Sequence, residues 1–546
     1  AALALSLVFA LFIAPLLARA WLRDEDVETA ERADRAMSGP RQRYARLAKG
    51  LLQRPGRLAL VALGALLVTG TLANTRLASG FMPKMDEGGF VLDYKAHPGA
   101  ALTETDRLVR QVEAILRATP DVDSYSRRTG VQLGGGLTEA DEGDFFVHLR
   151  RGQRRSVEAV MAEVRQKIQA GAPGLDIETA QLMEDLIGDL TAVPQPIEIK
   201  LYGSDAASLR EAAALVAPAV GKIRGVVEVV DGLRLAGDAL TVRVNRPAAT
   251  LNGLDPDAVA RQLTGLIEGQ VVTQVQKGET VIDVRLWTAP ALRDRIAAIS
   301  ALRLRAPDGR EVPLSAVATV AVDPGQAQIT RENLQPFLDV TGRLEGRDLG
   351  SAMGEVRRAV AGLTLPPGVR VDYGGLYAQQ QASFVDLTLV FGAALMLVSL
   401  LLLYLFERWA AVVSVIGVVL AAAAAVFIGL FVTGTELNIS ALMGLTMVVG
   451  VVAELAVFFL AELAPGAAVT PDGLIEAGAA RLRPILMSAV IAILALLPLA
   501  LGLGEGAAMQ KPLAIAIISG LVAGAPLVLF VLPAAYLALS RMFGRR

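Results

Sequence analysis

The chain has 546 residues, of which 53% are hydrophobic and 19% charged, and its formal net charge is -2. This balance excludes the basic surface that nucleic-acid-binding proteins need, so we expect no nucleic-acid partner. Without cysteine the chain forms neither disulfides nor thiolate metal centres, and its two histidines exclude a histidine-rich metal site. Because no constellation of catalytic side chains stands out, we expect neither enzymatic activity nor a cofactor.

Seven apolar stretches are close to the length that a membrane helix needs, about 20 residues for a bilayer core about 30 Å thick. They lie at 1–22, 57–74, 384–406, 410–432, 438–463, 484–503 and 513–538. We expect the first two to be separate transmembrane helices and the other five to form a bundle within 381–546. Because the sequence opens at Ala1 inside an apolar stretch, without the charged region of a signal peptide, we expect it to be a fragment of a longer chain.

Loop charges predict the orientation, because loops rich in Lys and Arg stay in the cytoplasm. The segment 19–57 holds ten such residues, and the chain ends with Arg545 and Arg546. Residues 23–56 are therefore predicted to be a cytoplasmic linker, with the block 75–383 on the opposite side of the membrane. Within the linker, 40–54 has the pattern of a basic amphipathic helix lying on the membrane surface, and a solvated linker is the alternative.

Strand and helix patterns alternate through the polar block, as in the strands predicted at 90–94 and 145–149. Lys277-Gly278-Glu279 separates two further strand patterns and predicts a hairpin. The rhythm favours several small α+β sandwiches of the split βαβ, or ferredoxin-like, type. Our division of the block is 75–193, then 194–244 together with 326–380, and 245–325 with the hairpin.

Glu454 stands in the middle of the apolar run 450–460. An acid at the centre of a membrane helix costs about 2.5–3.5 kcal/mol on insertion scales, so it is rare unless it has a function. Lipid favours the neutral form of such a carboxyl and a partner favours its charged form, which is the property a proton relay needs. The alternative is an acid that only bonds a neighbouring helix.

Arg481 and Ser488 lie seven residues apart, two helical turns, on one face of the next apolar helix. Both are candidates for the same relay as Glu454. The alternatives are that Arg481 anchors the helix at the membrane surface and that Ser488 bonds its own backbone.

The order of the apolar stretches and four local sequences resemble the carboxyl-terminal half of resistance–nodulation–division (RND) efflux permeases over essentially the whole chain. The sequences are FMPKMDEG at 81–88, LNISALMGLT at 437–446, RLRPILMS at 481–488 and PLAIAIISG at 512–520. The resemblance implies a homotrimeric pump of the bacterial inner membrane, multi-pass and driven by proton entry. It also implies a periplasmic adaptor, an outer-membrane channel and the other half of the permease as partners. The segments 75–193, 194–244 and 326–380 would then be porter subdomains, and 245–325 a docking-type subdomain.

The same resemblance assigns relay residues. Glu454 matches the titratable position of the fifth span, where drug exporters usually have Lys and heavy-metal exporters Glu. Arg481 and Ser488 match the accessory Arg and hydroxyl of the family relay, with Ser replacing the commoner Thr. The paired Asp residues of that relay belong to the other half of the permease.

The substrate class stays open at this level. Copper and silver exporters of the family hold a methionine cluster in the porter cleft, whereas this chain has Asp93 and Asp144 near two of those positions and Met183 out of register. Thioethers select Cu(I), so a soft-metal site is not expected. Asp93 and Asp144 would suit a harder divalent cation, unless they are merely solvated acids at strand ends. Phe145 and Phe146 would suit amphiphilic organic compounds.

The main hypothesis is therefore proton-driven efflux of toxic small compounds by an RND pump, with multidrug resistance as its outcome. One alternative is a divalent heavy-metal exporter of the same superfamily. The other is a membrane-anchored periplasmic scaffold, or an inactive fragment, that transports nothing.

Overall fold

A computed structural model describes residues 5, 7–21, 37–131, 139–191, 195–233, 237–324, 329–463, 469–504 and 506–543. Within these ranges six helices are long and apolar enough to cross a membrane. They are Pro55–Asn74, Gly375–Phe406, Trp409–Thr433, Ile439–Leu460, Pro471–Ala500 and Ala507–Met542. At the predicted first span the described chain has a shorter apolar helix, Phe9–Trp21, and part of 1–22 lies outside the described residues. The count of seven spans stays a prediction.

In the described residues before the polar insert, the chain forms three α-helices. They are α1 (Ala14–Trp21, continuing a π-helical turn), α2 (Ser38–Leu51) and α3 (Pro55–Asn74). Helix α2 covers most of the predicted surface helix, and it buries Tyr44 and Ala48 against the membrane bundle. The Tyr44 hydroxyl donates a 2.9 Å hydrogen bond to the carbonyl oxygen of Leu529. Burial raises the pKa of Tyr44 well above its ordinary value.

The first subdomain of the insert is one antiparallel sheet with strand order β2-β3-β1-β4. Its elements are β1 (Gly89–Ala96), α4 (Leu102–Ala118), β2 (Val122–Thr129), β3 (Glu142–Leu149), α5 (Val157–Gly171), β4 (Leu175–Gln181) and α6 (Leu182–Thr191). Side chains alternate between the faces of a strand, so Phe90, Leu92 and Tyr94 join the core that the sheet shares with α4 and α5. Asp93 consequently lies on the other face.

The rest of the insert forms two further subdomains between Ile197 and Tyr373. The elements are β5 (Ile197–Tyr202), α7 (Ala206–Gly221), β6 (Val226–Val230), β7 (Asp238–Val244), α8 (Arg246–Leu251), α9 (Pro256–Ile267), β8 (Gln270–Lys277), β9 (Thr280–Leu286), α10 (Ile296–Ser300), β10 (Arg303–Arg305), β11 (Glu311–Pro313), α11 (Leu314–Val317), β12 (Ala318–Pro324), β13 (Thr330–Glu332), β14 (Gln335–Leu344), α12 (Leu349–Ala361) and β15 (Arg370–Tyr373).

The second subdomain is a sheet ordered β13-β14-β5-β15, with β6 also paired to β14 and helices α7 and α12 against its core. The third subdomain spans β7 to β12 and includes the β8–β9 hairpin. Strand β7 pairs with β12, and its Val242 and Val244 pack on the third core. The division after residue 244 is therefore corrected: β7 belongs to the third subdomain because its hydrogen bonds and apolar side chains lie there.

The remaining helices form the membrane bundle. They are α13 (Gly375–Phe406), α14 (Trp409–Thr433), α15 (Ile439–Leu460), α16 (Pro471–Ala500), α17 (Ala507–Pro526) and α18 (Leu532–Phe543). Small residues allow the closest helix contacts, as expected where lipid replaces water. A Cβ on Gly520 of α17 would lie 2.5 Å from Cγ2 of Val448 on α15. Helix α13 begins directly after β15, so the second subdomain and the membrane bundle share a continuous segment of chain.

Candidate functional site

Glu454 lies on the exposed face of α15. Met443, Met447 and Gly450 precede it at helical spacing on the same face and are exposed as well. The opposite face, with Val448 and Val452, is buried in the bundle. Within the described part of the chain, no side chain hydrogen-bonds to Glu454. A carboxylate on an otherwise apolar membrane face needs a partner or a proton, and the described residues of this chain leave that face exposed.

Arg481 and Ser488 lie on α16, which runs antiparallel to α15. The Nε of Arg481 donates a 2.6 Å hydrogen bond to Oε2 of Glu462, just beyond the end of α15. Glu454 is eight residues before Glu462 and Ser488 is seven residues after Arg481, rises of about 12 and about 10 Å at 1.5 Å per residue. The hydrogen bond between Arg481 and Glu462 therefore places Ser488 at nearly the same membrane depth as Glu454. Ser488 is exposed, as Glu454 is.

A second group of charges crosses the sheet of the first subdomain. Arg128, Asp144, Asp93 and Glu178 are direct cross-strand neighbours on β2, β3, β1 and β4. We call Asp144, Asp93 and Glu178 the acidic row. Arg128 binds Asp144 through two hydrogen bonds of 2.7 and 2.8 Å, and the side chain of Gln195 donates to Glu178.

Asp93 is the middle member of the row, and its neighbours change its pKa. Burial, followed by the negative charges of Asp185, Glu178 and Asp144, raises the pKa of Asp93 from 3.8 to about 7. The positive charge of Arg343, on β14 of the second subdomain, acts in the opposite direction. Asp93 therefore exchanges its proton near neutral pH, and a nearby cation favours its charged form.

The structure separates the two candidate phenylalanines. Phe145 is fully buried in the core of the first subdomain, with its ring 5.6 Å from that of Tyr94 and 5.9 Å from that of Tyr125. It cannot line the cleft predicted for it, because successive residues of a strand face opposite sides of the sheet. Phe146 is partly exposed on the face that carries Asp93.

The sequence did not point to three charged residues that act on Asp93, namely Glu178, Asp185 and Arg343, nor to Gln195, which binds Glu178. Among the residues that the structure describes, no three His, Cys, Asp or Glu side chains stand together in a group that could hold a metal ion. Arg128 engages Asp144 and Gln195 engages Glu178. A cation that binds the acidic row would have to exchange with such contacts.

The family model described as the AcrB/AcrD/AcrF family matches residues 1–540. The chain is 28% identical over 528 residues to the cobalt-zinc-cadmium resistance protein CzcA of Cupriavidus metallidurans, covering 93% of this chain and 49% of that protein. It is 26% identical over 555 residues to the nickel and cobalt resistance protein CnrA of the same bacterium, covering 98% and 51%.

The solved structures include a crystal structure of a heavy metal efflux pump that is similar to this chain, with a TM-score of 0.81 and 25% identity. The match covers 94% of this chain and 53% of that one. The chain thus spans about half the length of the curated relatives that it matches. The predicted resemblance is confirmed: the chain belongs to the AcrB/AcrD/AcrF family of RND permeases.

Proposed function

We propose that this chain works as part of a proton-driven exporter of divalent heavy-metal cations. The observation that carries the proposal is the acidic row, in which Asp93 lies between Asp144 and Glu178 as a direct cross-strand neighbour of both. Carboxylate oxygens bind divalent cations, whereas the thioethers that select Cu(I) are not part of the row. The functions named for CzcA and CnrA support the same substrate class.

Glu454 is the proposed site of proton exchange, with Ser488 at its depth and Arg481 near the cytoplasmic end. Alternating protonation of Glu454 drives transport if the two conformations of the pump differ in their affinity for the proton. Because the face of α15 that carries Glu454 is exposed, we expect a further part of the permease to pack there and to complete the relay. A homotrimer in the bacterial inner membrane, with a periplasmic adaptor and an outer-membrane channel, is the proposed assembly.

Metal and drug tolerance of a host cell tests the substrate class. The chain, expressed with the rest of its permease in a strain without its own exporters, should raise tolerance to Zn²⁺, Co²⁺ or Cd²⁺. Asp93→Asn should abolish this protection, because the central carboxylate of the row is lost. The matched control is Asp123→Asn, an exposed acid of the same subdomain beside His148.

The result has three readable outcomes. Metal tolerance that depends on Asp93 but not on Asp123 supports divalent-cation export. Tolerance to dyes and detergents without tolerance to metals would instead support the general efflux hypothesis, with amphiphilic compounds as substrates. No protection from an intact, assembled permease would support the non-transporting scaffold.

A further inference from the structure

Helix α2 is fixed to the membrane bundle along one face. The Tyr44 hydroxyl donates to the carbonyl oxygen of Leu529, and a Cβ on Gly478 of α16 would overlap that hydroxyl, so the ring reaches the carbonyl only because residue 478 is glycine. Ala48 and Leu52 are buried one and two turns after Tyr44. The rest of the circumference of α2 is left to face outward.

The position of Leu529 shows at which level of the membrane α2 lies. Successive helices of the bundle cross in alternate directions from α13, which begins at the insert, so Ala507 at the start of α17 is at the end of the bundle nearest the insert. Leu529 follows 22 residues later, a rise of about 33 Å at 1.5 Å per residue, or about one bilayer core. Helix α2 therefore lies at the membrane surface opposite the insert.

One exposed flank of α2 combines two leucines with basic residues. Arg43, Leu47 and Leu51 follow one another at intervals of four residues, and the two leucines are 60% and 37% exposed. Arg54, in the turn after α2, and Arg57, in the first turn of α3, are exposed as well. We call these five residues the α2 surface. Apolar and basic side chains side by side at this level are typical of a helix that contacts both acyl chains and headgroups.

The positive charge of the α2 surface is not balanced by acids nearby in sequence or in the described structure. The stretch 37–60 contains six Lys and Arg residues and neither Asp nor Glu. Within the part of the chain that the structure describes, no acid forms an ion pair with Arg43, Arg54 or Arg57. The three guanidinium groups are therefore available to an anion from outside the described residues.

The other flank of α2 differs in its charge environment. Arg46 and Lys49 border a cavity of about 320 Å³ together with Asp472 and Glu476 of α16. Acids across this cavity offset the charges of Arg46 and Lys49. The uncompensated charge of α2 is thus concentrated on the flank that also carries the exposed leucines.

We propose that the α2 surface binds the headgroups of anionic phospholipids in the leaflet opposite the insert. Guanidinium groups donate paired hydrogen bonds to phosphate oxygens, and the leucines would contact the acyl chains of the same lipids. A basic segment beside a membrane helix favours anionic lipid by roughly five-fold for each basic residue close to the surface. This binding goes beyond the proposed export function, because no transported substrate takes part in it.

Native mass spectrometry of the full chain tests the lipid preference. After incubation in detergent with equal amounts of phosphatidylglycerol and phosphatidylcholine, the native protein should retain mainly phosphatidylglycerol. A variant that combines Arg43→Gln, Arg54→Gln and Arg57→Gln should lose at least ~10-fold of this preference. An unchanged preference in the folded variant, or equal retention of the two lipids by the native protein, would overturn the proposal.

The matched control removes the same charge from the second subdomain. Arg210→Gln, Lys222→Gln and Arg224→Gln replace three exposed basic residues in and just after α7, and together they should leave the lipid preference unchanged. An equal loss in this control would show that net charge, and not the α2 surface, selects the lipid. If the α2 variant does not fold, salt decides: at about 1 M, where the Debye length is about 3 Å, the native preference should largely disappear, and a preference insensitive to salt overturns the proposal.

Two other anions could occupy the same guanidinium groups. Acids of the protein are one source, since residues 24–34 include six of them and a further part of the permease could supply more. A preference for phosphatidylglycerol that disappears in the assembled permease would identify protein as the occupant and overturn the proposal. Free phosphate is the other source: displacement of phosphatidylglycerol by an equal concentration of inorganic phosphate would overturn the role of the leucines, whereas retention supports the lipid.

Discussion

The charged form of Asp93 is expected to lower the free energy of unfolding at neutral and alkaline pH. The substitution Asp93→Asn is expected to remove this destabilisation. Burial and the neighbouring acids raise the pKa of Asp93 from 3.8 to about 7, so the folded chain holds this proton more tightly than the unfolded chain. The cost is therefore absent below about pH 4, grows as pH rises towards 7, and is fully present above it. At about 1.36 kcal/mol for each pKa unit, the rise corresponds to about 4 kcal/mol.

Thermal unfolding of the detergent-solubilised chain at pH 4 and pH 8 measures this effect. Asp93→Asn should melt above the native protein at pH 8 and with it at pH 4. Asp121→Asn is a control of opposite sign, because the hydrogen bond from Arg155 lowers the pKa of Asp121. That variant should melt below the native protein at pH 8, with the difference fading in acid. Equal stabilisation by Asp93→Asn at both pH values would refute the electrostatic reasoning.

Three further substitutions test the membrane bundle. Glu454→Gln, in the assembled permease, is expected to abolish metal tolerance of the host while size-exclusion chromatography shows normal assembly; retained export would reject the proton-exchange role. Tyr44→Phe leaves the buried carbonyl of Leu529 without its donor and should lower the free energy of unfolding by about 1–3 kcal/mol, measured in detergent. Gly520→Ala would place a methyl 2.5 Å from Val448 and should destabilise by about 1–3 kcal/mol; an unchanged melting temperature would contradict the close contact.

The membrane helices could be predicted from the sequence because their apolar stretches are long. A run of about 20 apolar residues has few alternatives to a membrane helix, and six of the predicted stretches overlap helices that meet this criterion, although 438–463 and 484–503 extend past the ends of theirs. The strands predicted at 90–94 and 145–149 lie within β1 and β3 because large apolar residues alternate there. Glu454 was likewise conspicuous as a candidate, since an acid within an apolar run is costly, and its role stays a prediction.

The acidic row was only partly predictable. Strand β4 was missed, although Leu175 and Ile177 alternate with acids, because only these two of its residues are large and apolar. Glu178 was missed with it. Arg343 is 250 residues from Asp93 in sequence, and its approach depends on how two subdomains pack, which no local pattern encodes. Phe145 was assigned to the wrong face of the sheet. Asp144 and Phe145 are successive residues of β3, so only one of them can face the cleft, and the prediction placed both there.

The described contacts also provide a mechanical connection between the acidic row and the membrane. Gln195 donates to Glu178 of the row, and its own carbonyl accepts a 3.1 Å hydrogen bond from the N–H of Leu376 in the first turn of α13. Helix α13 then runs uninterrupted for 32 residues, about 48 Å at 1.5 Å per residue, and packs against α15, which carries Glu454. Coupling between distant sites requires one element whose position both sites bias. Helix α13 is the candidate for that element, because its first turn is hydrogen-bonded to the residue that binds the row and its length packs against the helix that carries Glu454.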